Sequence, residues 1–335
     1  VVSLIALPLG LGLAIASEAP PISGIIAAIA GGIVVSVFGG SHVTIAGPGN
    51  GLVIVLLSSI YTLGDGDLYQ GYLFTLAAII FSGLFLFLFG LLRMGAMSEF
   101  FPATALQGML AAIGVGILSK QFHLMIGIQN VRGDTLDQLI SIPNSILLFI
   151  VSLPFAGVLG ILSFIFLFLY SRIRNPLFHL VPAPMWVVVA SVGIGYYYSL
   201  VLSQPSPISS SLLINIPEDL TSNLPRPNFD KIFNLSFIGV VFSITLIAVI
   251  ESLLSIKAVD KLDPKKRRSN VNKDLRALGL ASIVSGFLGG LNVVTVIARS
   301  SVNANNGGSN RSANFFHSAF LLLFILLLGK QIKMI

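Results

Sequence analysis

Cysteine is absent from all 335 residues, which excludes disulfides, thiolate nucleophiles and cysteine-based metal sites. Charge is scarce as well. Asp, Glu, Lys and Arg make up 10% of the chain, against roughly a quarter in an ordinary globular domain. A soluble protein of this length needs a charged surface, and this chain lacks the residues to build one. Disorder is excluded from the other side, because it needs low hydrophobicity and high charge, and 55% of these residues are hydrophobic. Four scattered histidines, His42, His123, His179 and His317, show no metal-ligand spacing. No nucleophile–base constellation can be assembled from this inventory, so no enzyme is expected. What remains is a chain that uses lipid as solvent for most of its surface.

Apolar stretches fall near 1–17, 22–38, 43–60, 71–92, 101–119, 144–170, 183–203, 232–256, 275–290, 293–303 and 313–329. Several approach the ~20 residues that a membrane helix needs. Three are short or interrupted: the first by Pro8, the third by Gly47-Pro48-Gly49-Asn50-Gly51, and the region 289–303 by Gly289-Gly290-Leu291-Asn292. The chain opens without Met, with apolar residues and no basic segment before them, and reads as an internal piece of a longer protein.

With the N-terminus placed inside, twelve of the nineteen Lys and Arg fall in inside loops, eight of them between Lys257 and Arg276. The outside loops and the C-terminal end hold six, and Arg299 is left within a span. The bias toward inside loops follows the positive-inside rule, and it accounts for the net charge of +6 without nucleic acid. The run 264–268, PKKRR, is a topology signal, with contact to anionic headgroups as the alternative. The stretch 204–231, rich in Pro, Ser and Asn, separates seven apolar segments from four.

Of the thirteen acidic residues, Glu251 alone must sit inside a span. An ionisable group there is a functional hypothesis by default. Coupling to a proton or a sodium ion is one reading, and a buried ion pair with Arg299 is the other. Ser255, one turn on, shares the Glu251 face and could add an oxygen ligand or bond back to its own helix. Arg299 cannot deprotonate, so it needs a cavity, a carboxylate or an anion. It follows the β-branched run Val293 to Ile297, which favours extended backbone before a short helix. The third segment repeats this grammar: Val43 to Ala46, the Gly-Pro-Gly break, then Leu52 to Ile60. The break alone could be a simple kink. Two extended-then-helical segments, one in each half, point instead to a transporter site. Their free N–H groups and positive dipole ends face a gap suited to an anion.

On these residues the chain resembles the SulP (sulfate permease) family of inorganic anion transporters. The resemblance is carried by 6–17, ALPLGLGLAIAS; 39–55, GGSHVTIAGPGNGLVIV; 102–118, PATALQGMLAAIGVGIL; and above all 250–291 with 293–317, which holds the membrane acid, the ARSSVNANNGG segment and the loop after it. It implies an all-α polytopic fold of seven plus seven spans related by inverted topology, with broken third and tenth spans and the chain ending near span twelve. The implied division is 1–203 for the first repeat, 204–231 for an external connecting loop and 232–335 for part of the second repeat, without the cytoplasmic STAS domain. The resemblance implies an anion bound by Gly49, Asn50, Thr295, Val296 and Ile297, with Pro8 and Leu9 lining the cavity and Arg299 adding positive potential. Glu251 and Ser255 match the cation-coupling positions, and Na+ held by Glu251, Ser255 and Thr295 is the alternative to H+.

Three positions depart from the family pattern: Leu9 where sulfate-type members carry Gln, Asn292 where Pro is common, and Glu251 where sodium-coupled bicarbonate members carry Asp. The expected function is secondary active transport of bicarbonate or sulfate by alternating access, in the cell (inner) membrane, with 257–276 cytoplasmic. No cofactor beyond a coupling ion is expected, and the expected partners are the anion, the bilayer and a second copy of the chain. The rivals are a nucleobase–cation symporter of the same architecture and an uncoupled anion channel.

Overall fold

The computed structural model describes residues 2–99, 103–128, 135–170, 172–173, 182–201, 208–209 and 224–332. Arg132, Asp134, Arg174, His179, Lys333 and most of the proline-rich stretch 204–223 lie outside the described residues. The helices are α1 (Val2–Ala16), α2 (Ile22–Phe38), α3 (Val53–Gly64), α4 (Leu68–Leu91), α5 (Ala103–Met125), α6 (Thr135–Ser152), α7 (Phe155–Tyr170), α8 (Ala183–Tyr196), α9 (Leu235–Asp260), α10 (Val271–Phe287), α11 (Ile297–Asn305) and α12 (Ser312–Ile332). Two three-residue strands, β1 (Ala46–Pro48) and β2 (Val293–Thr295), precede α3 and α11. Among the described helices, α4, α6 and α9 are long and apolar enough to cross a membrane, and α1, α2, α3, α7 and α8 are shorter apolar helices.

The chain packs as two compact units, one of Val1–Leu106 with Pro217–Leu327, the other of Gln107–Ile216 with Leu328–Ile335. The first unit contains the order helix, helix, strand, short helix, helix twice over, as α1-α2-β1-α3-α4 and as α9-α10-β2-α11-α12. The second is built from α5 to α8. There α7 approaches the end of α5 so closely that a Cβ on Gly157 would meet the Ile126 carbonyl. His123 and Ser141 join α5 to α6 at 3.1 Å.

Helix starts follow their capping residues. Asp67 accepts from the Tyr69 and Gln70 N–H groups at the start of α4, and Asn270 accepts from Lys273 at the start of α10, each satisfying donors that have no helical partner. The segments 43–60 and 293–303 are extended and then helical, as their sequences predict. One expectation fails. The stretch 144–170, expected as one apolar segment, is parts of two helices, the first of which already begins at Thr135. The break is at Leu153, whose φ of 41° is left-handed, followed by Pro154. Pro143 sits inside α6, as neighbours in a membrane bundle allow.

The basic loop after α9 is tied down. Asp263 accepts from Arg267 Nε at 2.7 Å and Nη2 at 3.1 Å, and this guanidinium holds its carboxyl down at about 2. Ser269 binds Asp260 at 2.5 Å through its hydroxyl and at 3.0 Å through its N–H.

Helices α4 and α10 cross at backbone distance, which small residues permit where lipid provides little hydrophobic drive. A Cβ on Gly279 would lie 2.5 Å from both the Gly83 carbonyl oxygen and the Phe87 nitrogen, and one on Gly83 2.7 Å from the Gly279 oxygen. Gly239 on α9 has open space around it. Gly279→Val should therefore lower stability in detergent by about 2 kcal/mol or more, the scale of overpacking, while Gly239→Ala should leave it unchanged or slightly raised. Thermal unfolding of the two variants side by side checks this, and equal melting temperatures would refute the packing argument.

Candidate functional site

The first unit is organised around the pairing of β1 with β2. They run antiparallel, with Ala46 opposite Thr295, Gly47 opposite Val294 and Pro48 opposite Val293. Gly-Pro-Gly cannot continue a helix, and the Val-Val-Thr run favours extended backbone. Two three-residue strands are too few to stand alone. Side chains from α11 and α12 complete the hydrogen bonding that the ladder leaves open. Asn303 Nδ2 donates to the Val43 carbonyl at 2.9 Å, and Asn314 Nδ2 donates to the Thr44 carbonyl at 2.6 Å. The Ile45 N–H donates to Ser300 Oγ at 2.8 Å, and that hydroxyl donates to the Val296 carbonyl at 2.6 Å. The Ala46 N–H donates to Asn314 Oδ1 at 3.0 Å, and the Val296 N–H to the Ile45 carbonyl at 3.0 Å. On the other strand, the Val293 N–H donates to Ser282 Oγ at 3.1 Å. All these groups are buried.

Each strand feeds a short helix. Neither Leu52 before α3 nor Val296 before α11 caps its helix with a side chain. First-turn N–H groups have no partners within their helix, so both helices start with a positive end. Helix α1 packs against β1, α3 and α11, while α9 packs against α3, β2 and α11.

The two span charges lie against different glycines of the first break. Arg299 is 1% exposed, and a Cβ on Gly47 would collide with its Nη1. Glu251 lies against the next turn of backbone. A Cβ on Gly49 would be 2.7 Å from its Oε2, and one on Gly51 2.9 Å. The Gly51 N–H donates to Oε1 at 3.2 Å. These glycines are required because a side chain at any of them would fill the space that a charged group occupies.

Arg299 and Glu251 do not pair with each other. All three Arg299 nitrogens and Glu251 Oε2 are buried without hydrogen-bond partners. The ion-pair reading offered by the sequence therefore fails. Each charge faces the broken backbone, and each retains unused capacity.

The other expected residues divide by burial. Gly49, Thr295, Val296 and Ser255 are buried, Pro8 is half-buried, and Asn50, Leu9 and Ile297 are exposed, the last two at 37% and 39%. Thr295 is a ladder residue opposite Ala46, and the Val296 N–H is occupied by Ile45. Ser252, passed over in favour of Ser255, is the serine beside Glu251 whose buried hydroxyl has no partner. Asn292, the departure from proline, lies between Ser82 and Ser282, which donates to its side-chain oxygen at 3.3 Å.

Sequence reasoning missed Ser300, Asn303, Asn314 and His317. Their signal was polar residues at helical spacing in 300–317, which reads equally as an exposed face. The recess lined by Glu18, Tyr69 and Tyr72 contains none of the residues of the strand crossing.

The sulfate permease family model matches residues 1–335. The chain is 28% identical over 327 residues to a putative sulfate transporter, YvdB, of Bacillus subtilis, covering 97% of this chain and 58% of that one. It is 24% identical over 327 residues to the bicarbonate transporter BicA of a Picosynechococcus species, with coverage of 97% and 55%. It thus spans under two thirds of the length of these curated relatives. Among solved structures, the transmembrane domain of a cyanobacterium bicarbonate transporter BicA superposes with a TM-score of 0.81 at 23% identity, covering 100% of this chain and 82% of that one. The murine Slc26a9 anion transporter in its inward-facing state gives 0.80 at 15% identity, covering 99% and 56%. These likenesses show that the chain shares the helical fold of these membrane proteins.

Asn314 is the side chain that holds the extended segment at both a donor, in β1, and an acceptor just before it. Asn314→Ala should cost about 2 kcal/mol or more by stranding the Ala46 N–H and the Thr44 carbonyl. Asn306→Ala, which removes a bond from an exposed side chain, should be near neutral. Thermal unfolding distinguishes them, and an Asn314→Ala variant as stable as Asn306→Ala would sink the pinning argument.

Proposed function

The chain belongs to the sulfate permease family, and from that premise we propose that it carries a small inorganic anion, bicarbonate or sulfate, across the cell membrane. The observation that carries the reading is the unpartnered, fully buried Arg299 beside two uncapped helix starts. A permanent guanidinium enclosed at membrane depth is tolerable only with compensation. No carboxylate supplies it among the described residues. An anion in the gap would accept from first-turn N–H groups of α3 and α11 and would face the positive ends of both helices. Leu9 and Ile297 would present apolar surface to it, so charge and size would decide what enters.

The relatives' names mention sulfate and bicarbonate, and both remain candidate substrates here. Transport is secondary active and works by alternating access. Glu251 is the coupling group: its Oε2 is buried and unused, free to hold a proton or to ligate Na+ with Ser255. Because its Oε1 accepts from the Gly51 N–H at 3.2 Å, any change in its charge acts directly on the backbone at the start of α3. The loop between Lys257 and Arg276 is cytoplasmic and the membrane is the inner one. A nucleobase symporter would need polar side chains to read base edges at the second break. That break presents Val293, Val294, Thr295, Val296 and Ile297, with Thr295 buried in the ladder.

Uptake of labelled bicarbonate and sulfate into proteoliposomes, with and without a Na+ or pH gradient, tests the reading. Gradient-driven accumulation of either anion supports it. Flux that only dissipates an anion gradient identifies a channel, and no flux of either refutes the proposal. Glu251→Gln should fold and bind anion but lose accumulation driven by the cation gradient; normal accumulation would remove Glu251 from coupling. Arg299→Ala should weaken anion binding by about 2 kcal/mol, on the order of 30-fold in Kd, as expected for hydrogen bonds to a charged group. Calorimetry that returns the wild-type Kd would rule that out.

A further inference from the structure

Arg299 is not alone beside the strand crossing. His317 on α12 is 2% exposed, and neither ring nitrogen has a hydrogen-bond partner. The two residues come from different helices, and each has a neighbour at Ala28 of α2. The Cβ position of Gly47, against Arg299 Nη1, is 3.6 Å from the Ala28 Cα, and Ser318, next to His317, donates to the Ala28 carbonyl at 3.2 Å. Asn314, one turn before His317 on the same buried face, is fixed on β1. Asn314 thus reaches Ala46, and the next residue, Gly47, lies against Arg299 Nη1, which brings His317 and Arg299 to the same short strand.

Among the described residues, few charged side chains lie on the elements around His317. Helices α1 and α2 and strands β1 and β2 contain no Asp, Glu, Lys, Arg or His. From α11 comes Arg299. From α9 comes Glu251, which lies against Gly49 and Gly51. On α10, Asp274 is engaged by Gly40 and Ser41, with Lys273 and Arg276 beside it in the first turns. On α12 itself, Lys330 lies more than three turns away.

A neutral imidazole offers one donor and one acceptor, and an imidazolium offers two donors. Beside a permanent guanidinium in an enclosed place, the second positive charge is disfavoured. A bound anion changes this balance according to its own charge. A monoanion neutralises Arg299 and leaves nothing for a proton to compensate. A dianion leaves one negative charge uncompensated, and a proton on His317 cancels it.

We propose that His317 takes up a proton when a dianion such as sulfate binds at Arg299, and not when a monoanion binds, so that His317 couples protons to dianions independently of Glu251. This rests on the anion-transport reading above and deepens it: the site would carry both anion classes as near-neutral assemblies, by adding a proton for the doubly charged one. The step is a proton taken from solvent onto a ring nitrogen with sulfate unchanged.

The test is calorimetry of the purified chain with sodium sulfate and with sodium nitrate, in buffers of different ionisation enthalpy, so that protons taken up per anion are counted. Glu251→Gln removes the other coupling group. That variant should take up a proton with sulfate and none with nitrate, and Glu251→Gln/His317→Gln should lose the uptake while still binding nitrate. Should the double variant misfold, the pH profile of Glu251→Gln serves alone. Its sulfate affinity should rise by about tenfold per unit as pH falls through the imidazole range, with nitrate affinity flat. Uptake persisting in the double variant, sulfate binding to Glu251→Gln without a proton, nitrate binding without sulfate binding, or parallel pH profiles for both anions would each overturn the proposal. If the unmodified chain binds neither sulfate, nitrate nor bicarbonate, the anion reading itself falls and takes this inference with it.

Discussion

Everything at the centre of the first unit depends on satisfying a short piece of extended backbone away from water. An unpaired N–H or carbonyl in that setting costs several kcal/mol, and a two-stranded ladder of three residues a side leaves several unpaired. The fold answers with side chains carried by the short helix and the helix after it: Ser300, Asn303 and Asn314 bind Val43, Thr44, Ile45 and Ala46. The second broken segment thus builds the scaffold for the first. Ser300, Asn303 and Asn314 serve this task, so that the helix starts and the guanidinium remain available for something else.

The division of labour among the glycines follows from the same crowding. Gly47, Gly49 and Gly51 alternate with Pro48 and Asn50, and each glycine marks a place where a charged side chain presses on the backbone. Arg299 takes the first and Glu251 the other two. The two opposite charges are thereby kept apart by the chain that each touches, which leaves both unpaired. A direct ion pair would tie two helices together and end the matter. Charges held on separate parts of one glycine-rich segment can respond to different ligands while acting on the same backbone.

Much of this was legible in the sequence because the chain has so few charges. With only 32 Asp, Glu, Lys and Arg residues, Glu251 and Arg299 stand out once the loops are allowed for. The extended-then-helical grammar of 43–60 and 293–303 was readable because Gly-Pro-Gly and a β-branched run each forbid or disfavour helix. The division of 135–170 into two helices was not, because Leu153 adopts a left-handed conformation that its identity does not announce, and Pro143 was tolerated within α6. The partners of β1 were equally hidden. Asn303, Asn314 and His317 look like surface residues in a one-dimensional pattern, yet all three are buried, and Asn303 and Asn314 meet backbone more than 250 positions earlier. Ser252 was passed over for the same reason, since helical spacing from Glu251 says which residues share a face but not which hydroxyl is left without a partner.

Under the transport proposal, the composition of the site has a consequence for selectivity. The groups available to an anion are backbone donors at two helix starts and one fixed cation, while the side chains nearby are Leu9, Val294, Val296 and Ile297. Backbone donors and helix dipoles read negative charge; they do not distinguish a trigonal anion from a tetrahedral one by side-chain geometry. With Leu9 at a position where a polar contact would otherwise stand, the site has little with which to read shape. Discrimination then falls on size, on the cost of dehydration, and on how the total charge of the loaded site is balanced. Under the proposal for His317, the last of these would lie partly with a residue that never touches the anion, and such a residue would help decide which anions are carried.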